Sequence, residues 1–191
     1  MATEFEATFT NINKSALRKI LQGAGATLIR EEFLQKRLVF NLPRGHETEG
    51  GWLRIRDEGD KITMSLKVID GKKIENQREI YLKVSDFDQA VLLLTTIGCQ
   101  QKAFQESKRE LWKLGEVEIT LDEWPFLEPF CEVEGPSELA VKKAADKIGF
   151  DYQKALFCSG ATLYSKKYGI PETVINNQTP LITFSGKNPF R

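Results

Sequence analysis

Residues 52–69 read WLRIRDEGDKITMSLKVI, and this stretch decides the fold class. Apolar and polar residues alternate on both sides of a turn at 57–60, which is the period of a β-strand. The apolar set is Leu53, Ile55, Met64, Leu66 and Val68, and the polar set is Arg54, Arg56, Thr63, Ser65 and Lys67. The stretch therefore predicts two strands, each with one apolar face and one face that carries positive charge.

The same pattern extends outward in both directions. Further strands are predicted at 3–10, 27–41, 77–84, 101–114, 115–122 and 130–134, with a bulge within 27–41, and helices are predicted after Asn11 or Asn13, after Ser85 or Asp86, and after Ser137. These helices are too few to cover a flat sheet, although the charged faces of a sandwich would simply face solvent. A curled sheet instead places its polar faces in a shared lumen. We predict a mainly β, α+β fold: an eight-stranded antiparallel barrel, closed or nearly closed, with helices packed outside.

Two acidic pairs lie on the first and last predicted strands of this barrel. Each is a Glu-x-Glu sequence, Glu4-Phe5-Glu6 and Glu132-Val133-Glu134. Successive side chains of a strand point to opposite faces, so each pair places two carboxylates on one face. Carboxylate oxygens are hard ligands for divalent cations, although such pairs are also common on solvated strands.

Composition limits the classes of function. The 191 residues suit one domain, which we place at 1–170 with a carboxy-terminal tail at 171–191. Polar residues from Asn176 onward predict a tail that is at most partly ordered. Lys plus Arg equal Asp plus Glu at 27 each, so no overall charge favours nucleic acid or a membrane surface. Three cysteines without metal spacing, and no apolar run long enough to span a bilayer, predict a cytoplasmic protein.

An ordered set of motifs resembles a known family. The set comprises Glu4-x-Glu6, Leu53-Arg54-Ile55-Arg56, Leu66-Lys67, Arg78-Glu79, Arg109-Glu110-Leu111-Trp112, Val117-Glu118-Ile119-Thr120-Leu121-Asp122 and Phe130-Cys131-Glu132-Val133-Glu134. Together with Tyr164-x-x-Lys167-Tyr168-Gly169, the chain from about residue 2 to residue 168 is similar to the CYTH superfamily, the triphosphate tunnel metalloenzymes.

The resemblance implies an eight-stranded tunnel that binds a linear triphosphate with Mg²⁺ or Mn²⁺. It implies metal ligands at Glu4, Glu6, Asp122, Glu132 and Glu134, phosphate ligands at Arg54, Arg56, Lys67, Arg78 and Arg109, and catalytic roles for Glu4, Glu6, Lys67 and Arg109. Arginine suits phosphate because its guanidinium donates two parallel hydrogen bonds. Arg78 is the weakest of these, because Ile80 and Leu82 share its parity and favour a helix-covered face.

Two departures from the family pattern bear on activity. Thr8 stands where the amino-terminal signature has a lysine, and Ser107 stands where the sixth strand has one. Lys108 is adjacent to Ser107, but a one-residue offset turns it to the other face. Arg37 or Lys36 on the second strand is a candidate to compensate.

The resemblance therefore predicts a divalent-metal-dependent phosphohydrolase that acts on inorganic triphosphate, thiamine triphosphate or a nucleoside triphosphate. One alternative is a class IV adenylate cyclase. Another is a binding module for polyphosphate or nucleotide with weak catalysis, which Thr8 and Ser107 favour. The expected partner is a small-molecule triphosphate or nucleotide, without nucleic acid or membrane, and a homodimer is allowed.

Overall fold

Ten strands and five helices make up the computed structural model, which describes residues 1–191. The strands are β1 (Ala2–Thr3), β2 (Phe5–Phe9), β3 (Thr27–Asn41), β4 (Gly51–Asp57), β5 (Ile62–Ile69), β6 (Gln77–Val84), β7 (Gln100–Leu114), β8 (Val117–Glu123), β9 (Phe130–Gly135) and β10 (Leu181–Ile182). The helices are α1 (Lys14–Gly23), α2 (Phe87–Thr96), α3 (Glu138–Lys147), α4 (Gly160–Tyr168) and α5 (Glu172–Gln178). The predicted strands coincide with β2 to β9 within a few residues.

The strands form a nearly closed antiparallel barrel. Their order around it is β1-β6-β5-β4-β3-β7-β8-β9-β2, and β10 joins β7 from outside this path. β1 and β2 are two halves of one strand that breaks at Glu4: the first half pairs with β6 and the second with β9. Counted as one strand, they give the eight that the sequence predicts, and the fold class is confirmed.

Other segments satisfy the free edge of β2, because only β1 pairs with β6. The amide and carbonyl of Thr8 exchange hydrogen bonds of 2.9 Å with Leu156, which follows the barrel in sequence. The side-chain amide of Gln77 donates to the Glu6 carbonyl oxygen at 2.7 Å. Buried backbone groups need such partners, so both contacts stabilise the closing seam of the barrel.

β3 and β7 are the longest strands and pair with one another along most of their length. Their register shifts between Leu28 and Arg30 and again between Arg30 and Phe33, which confirms the predicted irregularity in β3. Bulges of this kind bend a strand and increase its twist. The bend lets a 15-residue strand follow the curved wall of the barrel.

The apolar core lies outside the barrel, between its wall and the helices. α1 and α3 cover β2, β8 and β9, with the buried residues Leu17, Leu21, Ile119, Val133 and Val141 among those in contact. α2 covers β4, and its Ala90 and Leu94 form a cluster with Ile55 of β4 and Phe40 of β3. Asn13, Asp86 and Ser137 cap these three helices as predicted. None of the helices has the length and hydropathy that crossing a membrane requires.

The segment after α3 packs against one end of the barrel. Tyr164 of α4 donates a hydrogen bond of 2.8 Å to the Pro125 carbonyl oxygen, and the ring of Phe190 packs against that of Tyr164 at a tilt, with centroids 4.5 Å apart. In β10, Ile182 is fully buried. The polar tail is therefore packed on the barrel and lines part of its lumen, in contrast to the partial order that its composition predicts.

Candidate functional site

The lumen of the barrel is a cavity of about 1230 Å³ whose wall is strongly charged. It lies on the faces opposite the apolar core, because each strand alternates between the two. Eight of the ten residues predicted for the site line it: Glu4, Glu6, Arg54, Arg56, Lys67, Arg109, Glu132 and Glu134. Asp122 and Arg78 do not.

An acidic cluster forms where the first and last strands meet. Carboxylate oxygens of Glu4, Glu6 and Glu134 all lie within 4.8 Å of one another. Antiparallel pairing of β2 with β9 places Glu6 directly opposite Glu134, and the break at Glu4 adds the third carboxylate. Three hard oxygen donors at this spacing suit Mg²⁺, Mn²⁺ or Ca²⁺.

The electrostatics of the cluster also favour a cation. Burial, followed by the charge of Glu132, raises the pKa of Glu6 well above its ordinary value. Removal from bulk water and the charge of Glu4 raise the pKa of Glu134 to about 7. Burial opposes ionisation of Glu4 as well, but the charge and hydrogen bond of Lys67 outweigh it and lower the pKa of Glu4. Repulsion among these carboxylates therefore adds to the effect of burial, and a bound cation would relieve it.

Asp122 and Glu132 are bound to Arg109. The guanidinium of Arg109 donates to both oxygens of Asp122, at 2.7 and 2.9 Å, and a further hydrogen bond reaches Glu132. Thr120 donates to Asp122 as well, at 2.5 Å, and Asp122 is fully buried. The structure therefore brings Glu132 beside the acidic cluster, whereas the carboxylate of Asp122 is held by Arg109 and Thr120; a metal role for Asp122 stays a prediction.

Basic residues form the opposite wall of the lumen. Arg54 pairs with Glu79 at 3.3 Å, and Arg56 of the same strand pairs with Glu58 at 2.7 Å. Burial and the neighbouring charge of Arg54 lower the pKa of Arg56 to about 10. Lys67 on β5 lies 2.9 Å from Glu4 and so connects this wall to the acidic cluster.

Arg37 on β3 joins this wall and differs from its neighbours. Its guanidinium is buried and donates to Gln35 at 3.0 Å and to the hydroxyl of Ser107. It thus lies beside one of the two positions where the family pattern has a lysine. Lys36 and Lys108 are exposed on the other face, so Arg37 is the residue that brings positive charge to Ser107.

A comparison with protein-family models identifies the family of this barrel. A model of the CYTH domain matches residues 9–162. The chain belongs to the CYTH family. The resemblance drawn from the ordered motifs is confirmed, and the match covers the barrel from the end of β2 into α4. No curated protein matches the chain.

Solved structures share this CYTH fold. A conserved hypothetical protein from Pyrococcus furiosus has a TM-score of 0.68 at 21% identity, over 84% of this chain and 99% of the other. A candidate adenylate cyclase from Vibrio parahaemolyticus has a TM-score of 0.73 at 16% identity, over 85% and 98%. A candidate adenylyl cyclase from Hippeastrum, for which a dominant triphosphatase activity is described, has a TM-score of 0.55 at 15% identity, over 88% of this chain and 98% of the other. Identities this low show the fold alone.

Arg78 does not line the lumen of this CYTH chain, so the structure does not bring it together with the other predicted phosphate ligands. It pairs with Asp70 and stands opposite Val68, a buried residue of the outer face. Its neighbour Glu79 lines the lumen instead, opposite Lys67. The alternation of side chains along β6 indicates this outward position, because Ile80 and Leu82 share the face of Arg78.

The sequence predicts no site role for Glu58 and Glu79, two lumen carboxylates that pair with Arg56 and Arg54, and it indicates Arg37 only as a candidate to compensate. Glu58 follows β4 in a turn, yet it is buried against Arg56. Thr8 is buried opposite Glu132, so a neutral hydroxyl occupies the position where the family pattern has a lysine.

Proposed function

We propose that the chain is a divalent-metal-dependent phosphohydrolase that binds and cleaves a linear triphosphate inside its tunnel. One observation carries the proposal: a cluster of three carboxylates and a wall of guanidinium groups line the same lumen. A ligand that suits both must carry several anionic oxygens and bind them together with a cation. A linear triphosphate with Mg²⁺ or Mn²⁺ has this chemistry.

The basic residues would hold the phosphate oxygens. Arg54, Arg56 and Arg109 offer paired N–H groups that match phosphate oxygens, and Lys67 offers a point charge. All four are bound to carboxylates in the empty tunnel, which keeps them in place. The carboxylates thus position the cations before a ligand binds. Phosphate oxygens would then replace part of these contacts.

The acidic cluster fits a divalent cation, because its oxygens are hard donors at suitable spacing and their charges repel one another. Glu4, Glu6 and Glu134 would hold the ion, with Glu132 beside them. A bound ion would neutralise phosphate charge and polarise the bond that is cleaved. Thr120 and Arg109 keep Asp122 away, so it has no part in this proposal.

Phosphate release from tripolyphosphate, thiamine triphosphate and ATP tests the proposal, with Mg²⁺ or Mn²⁺ and with a chelator. We expect metal-dependent release that Glu4→Gln or Glu134→Gln reduces at least about a hundredfold, in the range of losses for groups that stabilise a transition state. Glu116→Gln is the matched control, because Glu116 is an exposed carboxylate in the turn after β7. Wild-type activity in either tunnel variant would contradict the assignment.

A second candidate is a module that binds a triphosphate without rapid turnover. Two buried hydroxyls favour it, Thr8 and Ser107, since neither can neutralise a phosphate oxygen. Tight binding of tripolyphosphate without phosphate release would support this candidate. Formation of cyclic AMP from ATP would instead identify a class IV adenylate cyclase. The triphosphatase activity described for the Hippeastrum relative favours hydrolysis.

The compartment and partners belong to the same proposal. The proposed compartment is the cytoplasm, where a reducing environment keeps cysteines such as these three free. The proposed partner is a small anionic molecule, since the charged residues converge on an internal cavity.

A further inference from the structure

Arg37 is the buried guanidinium of the tunnel that has no carboxylate partner. Arg54, Arg56 and Arg109 each have one. Arg37 is only 5% exposed, its Nε has no hydrogen-bond partner, and its other contacts are the neutral groups of Gln35 and Ser107. Charged side chains are almost never buried unless they are paired, so this guanidinium needs an explanation.

The surroundings hold Arg37 in position without neutralising it. Its guanidinium carbon lies 4.3 Å from the ring centroid of Trp124, a cation–π distance. Trp124 is fixed in turn by α4, where a side chain in place of Gly160 would approach its ring to 3.3 Å. Burial, followed by the charge of Arg56, holds the pKa of Arg37 well below its ordinary value. These contacts hold the Arg37 guanidinium in place, although burial disfavours its charged form.

Further unpartnered polar groups lie on the same wall. The buried side-chain atoms without a partner are Gln35 Nε2, Arg37 Nε, Arg54 Nε, Thr63 Oγ1 and Ser65 Oγ. All five belong to the adjacent strands β3, β4 and β5, where Arg37 pairs with Arg56, Arg56 with Thr63, and Arg54 with Ser65. Three of the five atoms are obligate donors and two are hydroxyls. Arg37 and Arg54 also line the lumen, so a group rich in acceptor oxygens would satisfy their donors.

We propose that Arg37, with Arg54 and the donors beside them, forms an oxyanion subsite that binds one phosphoryl group of the ligand. The inference rests on the proposed function, because it assigns the ligand of the same tunnel. β3 lies opposite the β1–β2 strand in the ring, so this group binds across the lumen from the acidic cluster. Arg37 thereby supplies positive charge that Thr8 and Ser107 do not.

Calorimetric titration with an imido analogue of tripolyphosphate, which resists hydrolysis, tests the subsite in the presence of Mg²⁺. We expect Arg37→Gln to weaken binding about tenfold to a hundredfold, the loss typical of a hydrogen bond to a charged group. Arg37→Lys should restore part of the affinity. Lys36→Gln is the matched control, because Lys36 is exposed on the same strand, and its affinity should stay within about twofold of wild type.

The melting temperature measured without ligand shows whether Arg37→Gln changes the stability of the fold as well as the affinity for the ligand. Removal of an unpaired buried charge should leave the temperature of Arg37→Gln equal to or above wild type. A decrease of several degrees would overturn the argument for the subsite, because that argument rests on a buried charge of Arg37 that nothing in the protein neutralises. Equal affinities of wild type and Arg37→Gln would overturn the subsite alone. No binding by the wild type would overturn the proposed function as well.

Discussion

Replacement of Glu6 by glutamine should stabilise the metal-free protein and abolish its stabilisation by Mg²⁺. Glu6 shares the cluster with Glu4 and Glu134, whose oxygens lie within 4.8 Å. Two like charges at that distance repel by about 3 kcal/mol when the effective dielectric constant is about 20. Lys67 and lumen water reduce this, so we expect a gain of about 1–2 kcal/mol, or roughly 2–8 °C in Tm for a chain of this size.

The sign of the effect depends on pH. The pKa of Glu6 is raised in the folded protein, so its contribution to stability is complete below the ordinary pKa of 4.5 and is lost as the pH rises through the folded value. The advantage of Glu6→Gln should therefore be present at about pH 8 and absent at about pH 4.

Thermal unfolding followed by circular dichroism would measure this effect, with a chelator or with excess Mg²⁺. Wild type should gain Tm with Mg²⁺, and Glu6→Gln should gain little. The control Glu116→Gln should behave as wild type, since that carboxylate is exposed and unpaired in the described chain. A metal-free Glu6→Gln variant that melts below wild type at about pH 8 would refute the argument, because the cluster would then not be repulsive.

Three further predictions concern the tunnel and its support. Asp122→Asn should leave the affinity for Mn²⁺ within about threefold of wild type while Glu134→Gln lowers it at least about tenfold by calorimetry, because only Glu134 belongs to the cluster. Arg109→Met should lower the free energy of unfolding by about 3–5 kcal/mol in urea, since it leaves the fully buried Asp122 without its ion pair; a change under about 1 kcal/mol would contradict this. Ile182→Ala should cost about 2–5 kcal/mol in the same assay, because Ile182 is fully buried against the barrel, whereas the exposed Leu181→Ala should cost less than about 1 kcal/mol.

The strands of the barrel could be predicted from sequence because the alternation of apolar and polar residues is a local pattern. Strand alternation alone gave the bounds Ile62–Ile69 and Gln77–Val84, and it placed Arg54 and Lys67 on the face that became the lumen. Arg78 shows the limit of a motif: the resemblance implied a phosphate ligand, whereas the shared parity of Ile80 and Leu82 favoured the outer face, where Arg78 lies opposite Val68.

The pairing inside the lumen could not be predicted, because it depends on the register between strands distant in sequence. Asp122 is tied to Arg109 because β7 and β8 pair in one particular register. Arg37 reaches Ser107 across 70 residues of sequence. The docking of β10 likewise depends on a surface that exists only after the barrel forms, so a polar tail gave no local signal of it.

The ion pairs inside the lumen also explain how a tunnel with so many charged side chains can be stable. Lys67 is bound to Glu4, so one contact joins a proposed phosphate ligand to a proposed metal ligand. A divalent ion at Glu4 would release Lys67, and a phosphate at Lys67 would release Glu4. Each ligand therefore removes a contact that competes with the other, and linkage requires the two affinities to rise together. Arg37 stands outside this exchange, because it has no carboxylate to release, and it gains from the anion alone.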